Sequence, residues 1–489
     1  MKTIEDSDYE VVDSLKNVMR NYQKNGFLWL KTLRENGFGG ILADDMGLGK
    51  TLQVISLLLA ERQDYDAGEK ERRRSLIVCP ASLVYNWQKE IERFAPELET
   101  VTITGSAPER KDIIRHTTDG QILITSYDLL KRDVEYYKNI VFAVQVIDEA
   151  QYIKNAGTQA AKGVKKITAA FKLALTGTPI ENRLSELWSI FDYLMPGFLY
   201  TYQKFREEIE TPIVVNKDEN KMERLQRMIR PFILRRLKGD VLKDLPEKLE
   251  ENVYAKMEAN SWSLYDAHVQ QMKQMLDGKS EAEFKSNKIQ ILAELTKLRQ
   301  LCCDPALLFE DYKGESAKVQ MCMDLIGNAV HGGHKVLLFS QFTTMLDRLA
   351  EQLKKLGIDY YMLTGSVNKE KRMQMVDSFN KDDVPVFCIS LKAGGTGLNL
   401  TAADIVIHYD PWWNVAVQNQ ATDRAHRIGQ KNVVTVYKLV SQGTIEEKII
   451  DIQEEKEKAC RAGAGGRGNG FRSIHKRGDH GTSRLIKKT

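Results

Sequence analysis

The sequence has no apolar run near the ~20 residues that a helix needs to cross a bilayer. It also lacks an apolar signal core, because the N-terminal stretch MKTIEDSDYEVVDSL is acidic. These absences argue against a membrane protein and give no indication of export. A hydrophobic content of 42% with 28% charged residues is typical of a soluble globular protein.

Cysteine is scarce, and the six cysteines include no C-x-x-C pair and no histidine spacing of the kind that holds zinc. We therefore expect reduced, mostly buried thiols in a cytoplasmic protein. The six are Cys79, Cys302, Cys303, Cys322, Cys388 and Cys460.

A strong charge of one sign is missing as well, because the formal net charge is only +4. Ten Lys or Arg residues against Glu457 and Asp479 give residues 456–489 a charge of +8, which leaves −4 for residues 1–455. The net charge of residues 1–455 would do little to attract nucleic acid at long range, so nucleic-acid binding would depend on local basic patches. Bulk charge argues neither for nor against DNA.

Two strings of short apolar runs, separated by helix-length stretches, organise the chain. Each run is rich in Val, Ile and Leu and ends in polar or small residues, which is typical of parallel strands buried on both faces. The pattern predicts an α/β protein with two mostly parallel sheets. The runs are 75–80, 101–104, 122–126, 142–150 and 172–178, then 335–342, 360–366, 386–390, 404–410 and 433–440.

Roughly residues 195–330, between the two strings, have a different pattern. The stretches 221–248 and 287–303 carry apolar residues at three- and four-residue spacing among many charges, which indicates amphipathic helices. We predict a helical insertion that contains the connection between the two α/β domains.

The stretch LADDMGLGKT (42–51) resembles a phosphate-binding loop, but Asp44 stands where the pattern G-x-x-x-x-G-K-[ST] has its first glycine. The loop joins a predicted strand (39–43) to a predicted helix (51–62). A helix N-terminus at a strand end favours phosphate binding. The unusual Asp44 affects the entry to the loop.

The phosphate-facing half of this loop is intact. Gly47 and Gly49 allow the backbone to wrap phosphates, Lys50 can neutralise their charge, and the Thr51 hydroxyl is placed for a magnesium ion. Because G-K-T after a strand recurs by chance, a second sequence element is needed to support a nucleotide site.

The stretch VIDEAQ (146–151) supplies that element at the polar end of an apolar strand. Asp148 is suited to hold magnesium, and Glu149 to orient and deprotonate an attacking water. In isolation an Asp-Glu pair is more often a solvated strand end. Together with G-K-T in a parallel sheet, the pair favours a hydrolytic site.

Two arginines, Arg424 and Arg427, lie three residues apart in QNQATDRAHRIGQ (418–430) and would share one face of a helix. Guanidinium groups of this kind can stabilise the charge that develops during phosphoryl transfer. Spacing alone also permits ordinary surface arginines.

Eight stretches, taken in order, resemble the motifs of the SWI/SNF-type DNA-dependent ATPases of helicase superfamily two. The resemblance runs from about residue 19 to about residue 457, and DPWWN and DRAHRIGQ are its most specific strings. The stretches are MRNYQKNGFLWL (19–30), LADDMGLGKT (42–51), LIVCPASLVYNWQKEI (76–91), DEAQYIKN (148–155), LTGTPIENRLSELWSIFDYLMPG (175–197), SQF (340–342), SLKAGGTGLNLTAADIVIHYDPWWN (390–414) and QATDRAHRIGQ (420–430).

This resemblance implies two RecA-like parallel-sheet lobes with helical insertions between them. The expected division is a lead-in (1–18), a first ATP-binding lobe (19–195), helical insertions and the interlobe connection (196–330), a second lobe of the helicase C-terminal type (331–443), a closing brace helix (444–458) and a basic Gly-rich tail (459–489).

The resemblance also implies roles for residues, with ATP and Mg²⁺ as the groups bound. The catalytic residues would be Lys50, Glu149, Arg424 and Arg427. Nucleotide would be held by Gln23, which resembles the adenine-reading glutamine, and by Asp45, Gly47, Gly49, Lys50 and Thr51, with Thr51 and Asp148 as metal ligands. DNA contacts would come from Ser126, Lys392 and Trp87, and coupling between nucleotide and DNA from Thr176, Thr178, Gly397 and Gln420.

Members of this family track along double-stranded DNA without separating its strands and displace or slide bound proteins. The resemblance thus implies a DNA motor, expected to be monomeric and without a membrane partner. The displaced protein, a stalled polymerase or a nucleosome, is left open. The expected location is the cytoplasm or nucleoid of a bacterium or the nucleus of a eukaryote.

Three alternatives share the nucleotide site. An RNA or DNA helicase would separate strands, which DPWWN and DRAHRIGQ argue against. A DNA-binding scaffold would have an uncoupled ATPase, and a simple nucleotide switch would need no nucleic acid. Each alternative predicts a different dependence of ATP hydrolysis on DNA.

The C-terminal end departs from the family pattern. Ile445, Ile449 and Ile452 have helical spacing and resemble the closing helix. From residue 459 the periodicity stops. This fits either a disordered basic tail that binds nucleic acid or a native terminus replaced through a changed reading frame or a truncation.

The adjacent Trp412 and Trp413 follow a predicted strand, which favours a role in packing over base stacking.

Overall fold

The computed structural model describes residues 9–68, 71–177, 184–242, 245–276, 288–314, 316–394 and 398–464. The chain divides into two compact units, and the boundary lies between residues 243 and 244. This boundary falls within residues 196–330, the region predicted to hold the connection.

The first unit, within its described residues, contains a parallel seven-stranded sheet in the order β3-β4-β2-β5-β6-β1-β7. Its strands are β1 Gly40–Leu42, β2 Ser75–Cys79, β3 Thr100–Thr102, β4 Ile122–Ser126, β5 Val141–Ile147, β6 Thr168–Leu175 and β7 Ile233–Leu234. Its helices are α1 Asp13–Lys16, α2 Asn21–Glu35, α3 Lys50–Asp66, α4 Val84–Phe94, α5 Ala107–His116, α6 Tyr127–Asp133, α7 Gln159–Lys165, α8 Leu184–Leu194, α9 Tyr202–Phe205, α10 Thr211–Val214, α11 Glu219–Ile229 and α12 Lys238–Val241.

The second unit, again counting only described residues, contains a parallel six-stranded sheet in the order β10-β11-β9-β12-β13-β8. Its strands are β8 Lys248–Ala255, β9 Val336–Ser340, β10 Tyr360–Leu363, β11 Val386–Ser390, β12 Ile405–His408 and β13 Val434–Ser441. Its helices are α13 Ala259–Leu276, α14 Lys288–Cys303, α15 Ala317–His331, α16 Thr343–Lys355, α17 Lys369–Phe379, α18 Leu391–Gly394, α19 Val415–Thr422 and α20 Ile445–Ala464.

Strand β9 shows why the apolar runs are continuous rather than alternating. Leu337 and Phe339 belong to one hydrophobic core of the second unit, whereas Val336 and Leu338 belong to the core on the other face. Because helices cover both faces of a parallel sheet, every position of a central strand is buried. The predicted α/β fold with two parallel sheets is confirmed.

Each of the ten predicted runs overlaps a strand, but the structure adds β7 and β8 in the region predicted to be helical. Strand β7 has only two residues, too few for a recognisable period. Strand β8 lies at the edge of its sheet and has the sequence KLEENVYA. Its charges, which are typical of an edge strand, hide the strand pattern.

The C-terminal helix α20 confirms the predicted helix over 444–458 and continues to Ala464. Ile445 packs with Tyr265 of α13 and Leu298 of α14 in one hydrophobic cluster of the second unit. Of the predicted tail, residues 465–489 lie outside the described residues. In the described part of the chain, no helix combines the length and apolar character needed to cross a membrane.

Candidate nucleotide site

The loop between β1 and α3 has the backbone of a phosphate-binding turn. Gly47 and Gly49 adopt left-handed conformations with φ of 87° and 72°. Gly49 is the N-cap of α3, so the helix begins at Lys50 and its first N–H groups are directed toward the loop. A side chain at Gly49 would be strained, and its Cβ would lie 2.4 Å from Nε2 of Gln23.

Lys50 is held by backbone carbonyls at the start of the same loop. Its Nζ donates to the carbonyl oxygens of Asp44 at 2.6 Å and Asp45 at 3.3 Å. Burial lowers the pKa of Lys50, while the carboxylates of Glu149, Asp44, Asp148 and Asp45 act in the opposite direction. Lys50 is the first residue of α3, so its ammonium group lies at a helix N-terminus, where phosphate binding is favoured.

Asp148 lies just after β5, and its carboxylate is fixed by two donors. Trp87 Nε1 donates to Oδ2 at 2.9 Å, and the backbone N–H of Glu149 donates to Oδ1 at 2.8 Å. Burial and the neighbouring Glu149 charge raise the pKa of Asp148 to about 6, against the opposing effects of Trp87 and Lys50. A carboxylate in this position gains from a bound cation.

Glu149 has a strained backbone and is 7% exposed. Its φ of 54° is in the left-handed region, which non-glycine residues seldom adopt and which clusters at functional sites. Gln151 Nε2 donates to Glu149 Oε2 at 2.7 Å, and Thr176 Oγ1 donates to Gln151 Oε1 at 3.5 Å. This chain of contacts joins the ends of β5 and β6.

Sequence reasoning assigned no role to Gln151, although its position two residues after Glu149 is a usable signal. Thr176, predicted to couple nucleotide and DNA, is brought next to this glutamine. Thr178, which shares the prediction, lies outside the described residues, as does Gly397.

Helix α2 holds the loop from the other side. Gln23 Nε2 donates to the carbonyl oxygen of Leu48 at 3.1 Å, and the Tyr22 hydroxyl donates to the same oxygen at 2.9 Å. The Gln23 Oε1 accepts from the backbone N–H of Arg20 at 2.9 Å. Gln23 therefore contacts the loop directly. Thr51 is half-buried in the first turn of α3.

Arg424 and Arg427 belong to the second unit and follow α19 in turns rather than in a helix. Arg424 is only 3% exposed, and its Nε donates to the carbonyl oxygen of Gly394 at 3.1 Å. Arg427 Nη1 donates to the carbonyl oxygen of Leu398 at 3.2 Å. Burial of Arg424 argues against an ordinary surface arginine, and both side chains are oriented by carbonyl groups. Gln420 is half-buried on α19.

The three predicted DNA contacts differ in accessibility. Lys392 is exposed on α18. Ser126 is buried and serves as N-cap of α6, where its hydroxyl accepts from the backbone N–H of Leu129 at 3.3 Å. Trp87 is 1% exposed and packs in the core of the first unit, where its indole donates to the Asp148 carboxylate. Its contact with DNA stays a prediction.

The tandem tryptophans of DPWWN pack around a buried arginine of α14. The Arg299 guanidinium lies 5.2 Å from the Trp412 ring centre and 5.3 Å from that of Trp413. Its Nη2 donates to the carbonyl oxygen of Pro411 at 2.7 Å. These contacts confirm packing as a use of the two tryptophans.

Comparison with known families gives matches along most of the chain. A family model described as the SNF2-related domain matches residues 22–307, and one described as the helicase conserved C-terminal domain matches residues 317–429. Together these spans contain all of the predicted catalytic residues.

Two curated relatives illustrate the likeness. The chain is 40% identical to the putative ATP-dependent helicase/translocase YwqA of Bacillus subtilis over 92% of its own length and 49% of the relative. It is 35% identical to the TATA-binding protein-associated factor MOT1 of Saccharomyces cerevisiae over 91% of its length and 27% of that relative. The chain thus spans half or less of the length of these relatives.

A solved structure, the Sulfolobus solfataricus SWI2/SNF2 ATPase core in complex with dsDNA, is 34% identical and superimposes with a TM-score of 0.47. The match covers 98% of this chain and 97% of that one.

Proposed function

This chain belongs to the SNF2-related family, and from that premise we propose that it is an ATP hydrolase that moves along double-stranded DNA. In this proposal the motor displaces or remodels DNA-bound proteins and does not separate the strands. The observation that carries the proposal is the meeting of Lys50 with the Asp148–Glu149 pair at the carboxyl end of one parallel sheet, where α/β proteins bind ligands.

Hydrolysis of ATP uses side chains of the first unit in distinct roles. Lys50 leaves its carbonyl partners to neutralise the β- and γ-phosphates. Glu149 orients the attacking water and accepts its proton, and the Gln151 contact keeps the carboxylate in place for that transfer. Gln23 reads the adenine from its position beside the loop.

Magnesium fits the donor set because Asp148 and Thr51 offer hard oxygen ligands, and the Asp148 carboxylate is held in one orientation by two donors. These two residues would hold the ion, and Asp45, in the same loop as Lys50, would be one of the residues that bind the nucleotide. When bound, Mg²⁺ would supply neutralisation of phosphate charge.

Arg424 and Arg427 are proposed to stabilise charge on the transferring phosphoryl group, as arginine fingers do. Lys392 and Ser126 are proposed DNA contacts, and Thr176, Thr178, Gly397 and Gln420 are proposed to link nucleotide state to DNA. Contacts of this kind go mainly to phosphates, so binding should be insensitive to sequence and weaken with salt.

The names of the relatives support a DNA motor and leave its target open. One relative is called a helicase/translocase and another a TATA-binding protein-associated factor, so a DNA-bound protein is a fitting target class. The polymerase and the nucleosome are both compatible with this class. We propose a monomeric motor.

Steady-state ATP hydrolysis by the purified chain tests the proposal. The rate is measured alone and with duplex DNA, single-stranded DNA or RNA, and Lys50→Ala gives the background. We expect duplex DNA to stimulate hydrolysis most. Equal rates with and without DNA would overturn the proposal and favour the nucleotide switch or the uncoupled scaffold.

A further inference from the structure

Asp44, the residue that departs from the usual phosphate-loop pattern, has a fully buried side chain with 0% exposure. A buried carboxylate is unfavourable unless it is paired and hydrogen-bonded. Arg236 provides the pair, because its Nε donates to Oδ1 at 2.9 Å and its Nη2 donates to Oδ2. Such a bidentate contact fixes both the distance and the relative orientation of the guanidinium and carboxylate groups.

The same arginine joins three elements of the first unit. Its Nη1 donates to the carbonyl oxygen of Tyr22 on α2, and its guanidinium lies 5.2 Å from the Tyr22 ring centre. Its Nη2 also donates to Gln53 Oε1 on α3 at 2.7 Å, and Gln53 Nε2 donates to Asp44 Oδ2 at 3.2 Å. We call the group of Tyr22, Asp44, Gln53 and Arg236 the loop clamp.

Backbone contacts continue the clamp along the entry of the loop. The N–H of Ala43 donates to the carbonyl oxygen of Leu234 at 2.7 Å, and the N–H of Asp45 donates to that of Arg236 at 3.0 Å. The segment after β7 therefore runs beside the loop, although about 190 residues of sequence separate them. It enters the boundary between the units seven residues later.

Gly26, in the middle of α2, provides the space that the clamp requires. A Cβ at this position would lie 1.8 Å from Gln53 Oε1 and 2.8 Å from Arg236 Nη2. Glycine inside a helix lowers stability by about 0.5–1 kcal/mol relative to alanine. At position 26 the close packing of Gln53 and Arg236 against the helix accounts for the glycine.

We propose that Arg236 is a positioning residue for the nucleotide loop, acting through Asp44. The inference rests on the proposed function, since it takes the loop as an ATP site. Arg236 neutralises the Asp44 carboxylate, so that Lys50 beside it remains available to the phosphates. It also holds the loop entry in a fixed conformation in place of the missing glycine. The clamp ties this conformation to the segment that leads into the second unit.

The test measures the dissociation constant of a fluorescent N-methylanthraniloyl-ATP for the full chain, together with KM and kcat for ATP with duplex DNA. Arg236→Gln should raise the dissociation constant and KM by about tenfold or more, because it leaves Asp44 buried and unpaired. Arg236→Lys should recover part of the affinity, because it keeps the charge but loses the fork. The exposed Arg230, which lies just before β7, gives the control Arg230→Gln, which should bind as the wild type does.

Two further variants separate positioning from simple loss of folding. The double variant Asp44→Asn/Arg236→Gln removes the unpaired charge and should bind nucleotide more tightly than Arg236→Gln alone. Gly26→Ala should weaken nucleotide binding even though alanine favours the helix. Thermal unfolding is followed for each variant, so that binding is compared below the unfolding transition.

Nucleotide binding by Arg236→Gln within about twofold of the wild type would overturn the inference while leaving the proposed function intact. A lower melting temperature with unchanged binding would likewise assign Arg236 a merely structural role. Failure of the wild type to bind the nucleotide would overturn the proposed function, and the inference with it.

Discussion

Single residues with local signals were predicted from the sequence, and residues with distant partners were not. Lys50 and Glu149 stand next to glycines or at a strand end, where motif spacing indicates chemistry. Arg236 carries no such signal, because its role depends on Asp44 about 190 residues away in sequence. The burial of Trp87, which the family resemblance assigned to DNA, depends on packing that only the fold provides.

At this scale Glu149→Gln tests the proposed catalytic base. The amide has nearly the shape of the Glu149 carboxylate and its oxygen can still accept from Gln151, but it cannot take up a proton from water. Turnover should therefore fall by about 10²–10⁴-fold while nucleotide binding persists. Single-turnover hydrolysis and nucleotide binding are measured on the same preparation, with the exposed Glu92→Gln as control. Normal turnover in Glu149→Gln would remove the residue from the mechanism.

Trp87→Phe tests whether the indole positions Asp148 for magnesium. Phenylalanine retains most of the buried ring but cannot donate to the Asp148 carboxylate. Loss of a partner that orients a metal ligand typically costs 10–100-fold in metal affinity. We therefore expect the magnesium concentration for half-maximal hydrolysis to rise by about tenfold or more.

The matched control is Trp188→Phe, which removes an indole contact to the Tyr200 carbonyl group away from this carboxylate. It should leave the magnesium dependence unchanged. An equal magnesium requirement in Trp87→Phe and the wild type would show that the indole has no such role.

Secondary-structure elements were predicted well where burial is uniform, whereas two of the four edge strands, β7 and β8, were missed. The central strands β9 and β11 are buried at every position, and apolar up to their final serine, because both faces are covered. The edge strands β7 and β8 are short or charged, and their pairing depends on distant parts of the chain. The turns after α19 likewise have a helical spacing of arginines without a helix.

His408, on strand β12, is expected to make the stability of the second unit depend on pH. Burial, followed by the nearby Lys438 charge, lowers the pKa of His408 to about 3 from its usual 6.5. The folded state therefore holds this imidazole neutral, with a contact of 2.8 Å between Nε2 and the Thr422 hydroxyl. Its contribution to stability is complete above pH 6.5 and is lost as the pH falls toward 3.

Between pH 7 and pH 5 this loss should lower the free energy of unfolding of the second unit by about 2 kcal/mol. Urea unfolding is measured at both pH values for the wild type and for His408→Gln, which cannot take up a proton. The variant should have a smaller drop between the two pH values, and an equal drop would assign the acid sensitivity to other groups.

At the scale of the whole molecule, the family could be recognised from the sequence because its motifs are long and ordered along the chain. The choice of target could not, because it depends on surfaces that are not encoded in the ATP motifs. The chain also spans 49% of the Bacillus subtilis relative and 27% of the yeast relative, so whole-protein activities do not transfer directly.

Displacement of a third strand from triplex DNA tests the central claim most directly, because it reports movement along a duplex without requiring a particular bound protein. The duplex is extended on one side of the triplex, and the chain is added with ATP or with a non-hydrolysable analogue. The account predicts ATP-dependent release of the third strand while the two duplex strands stay paired. Separation of the duplex strands, or ATP hydrolysis with the third strand retained, would contradict it.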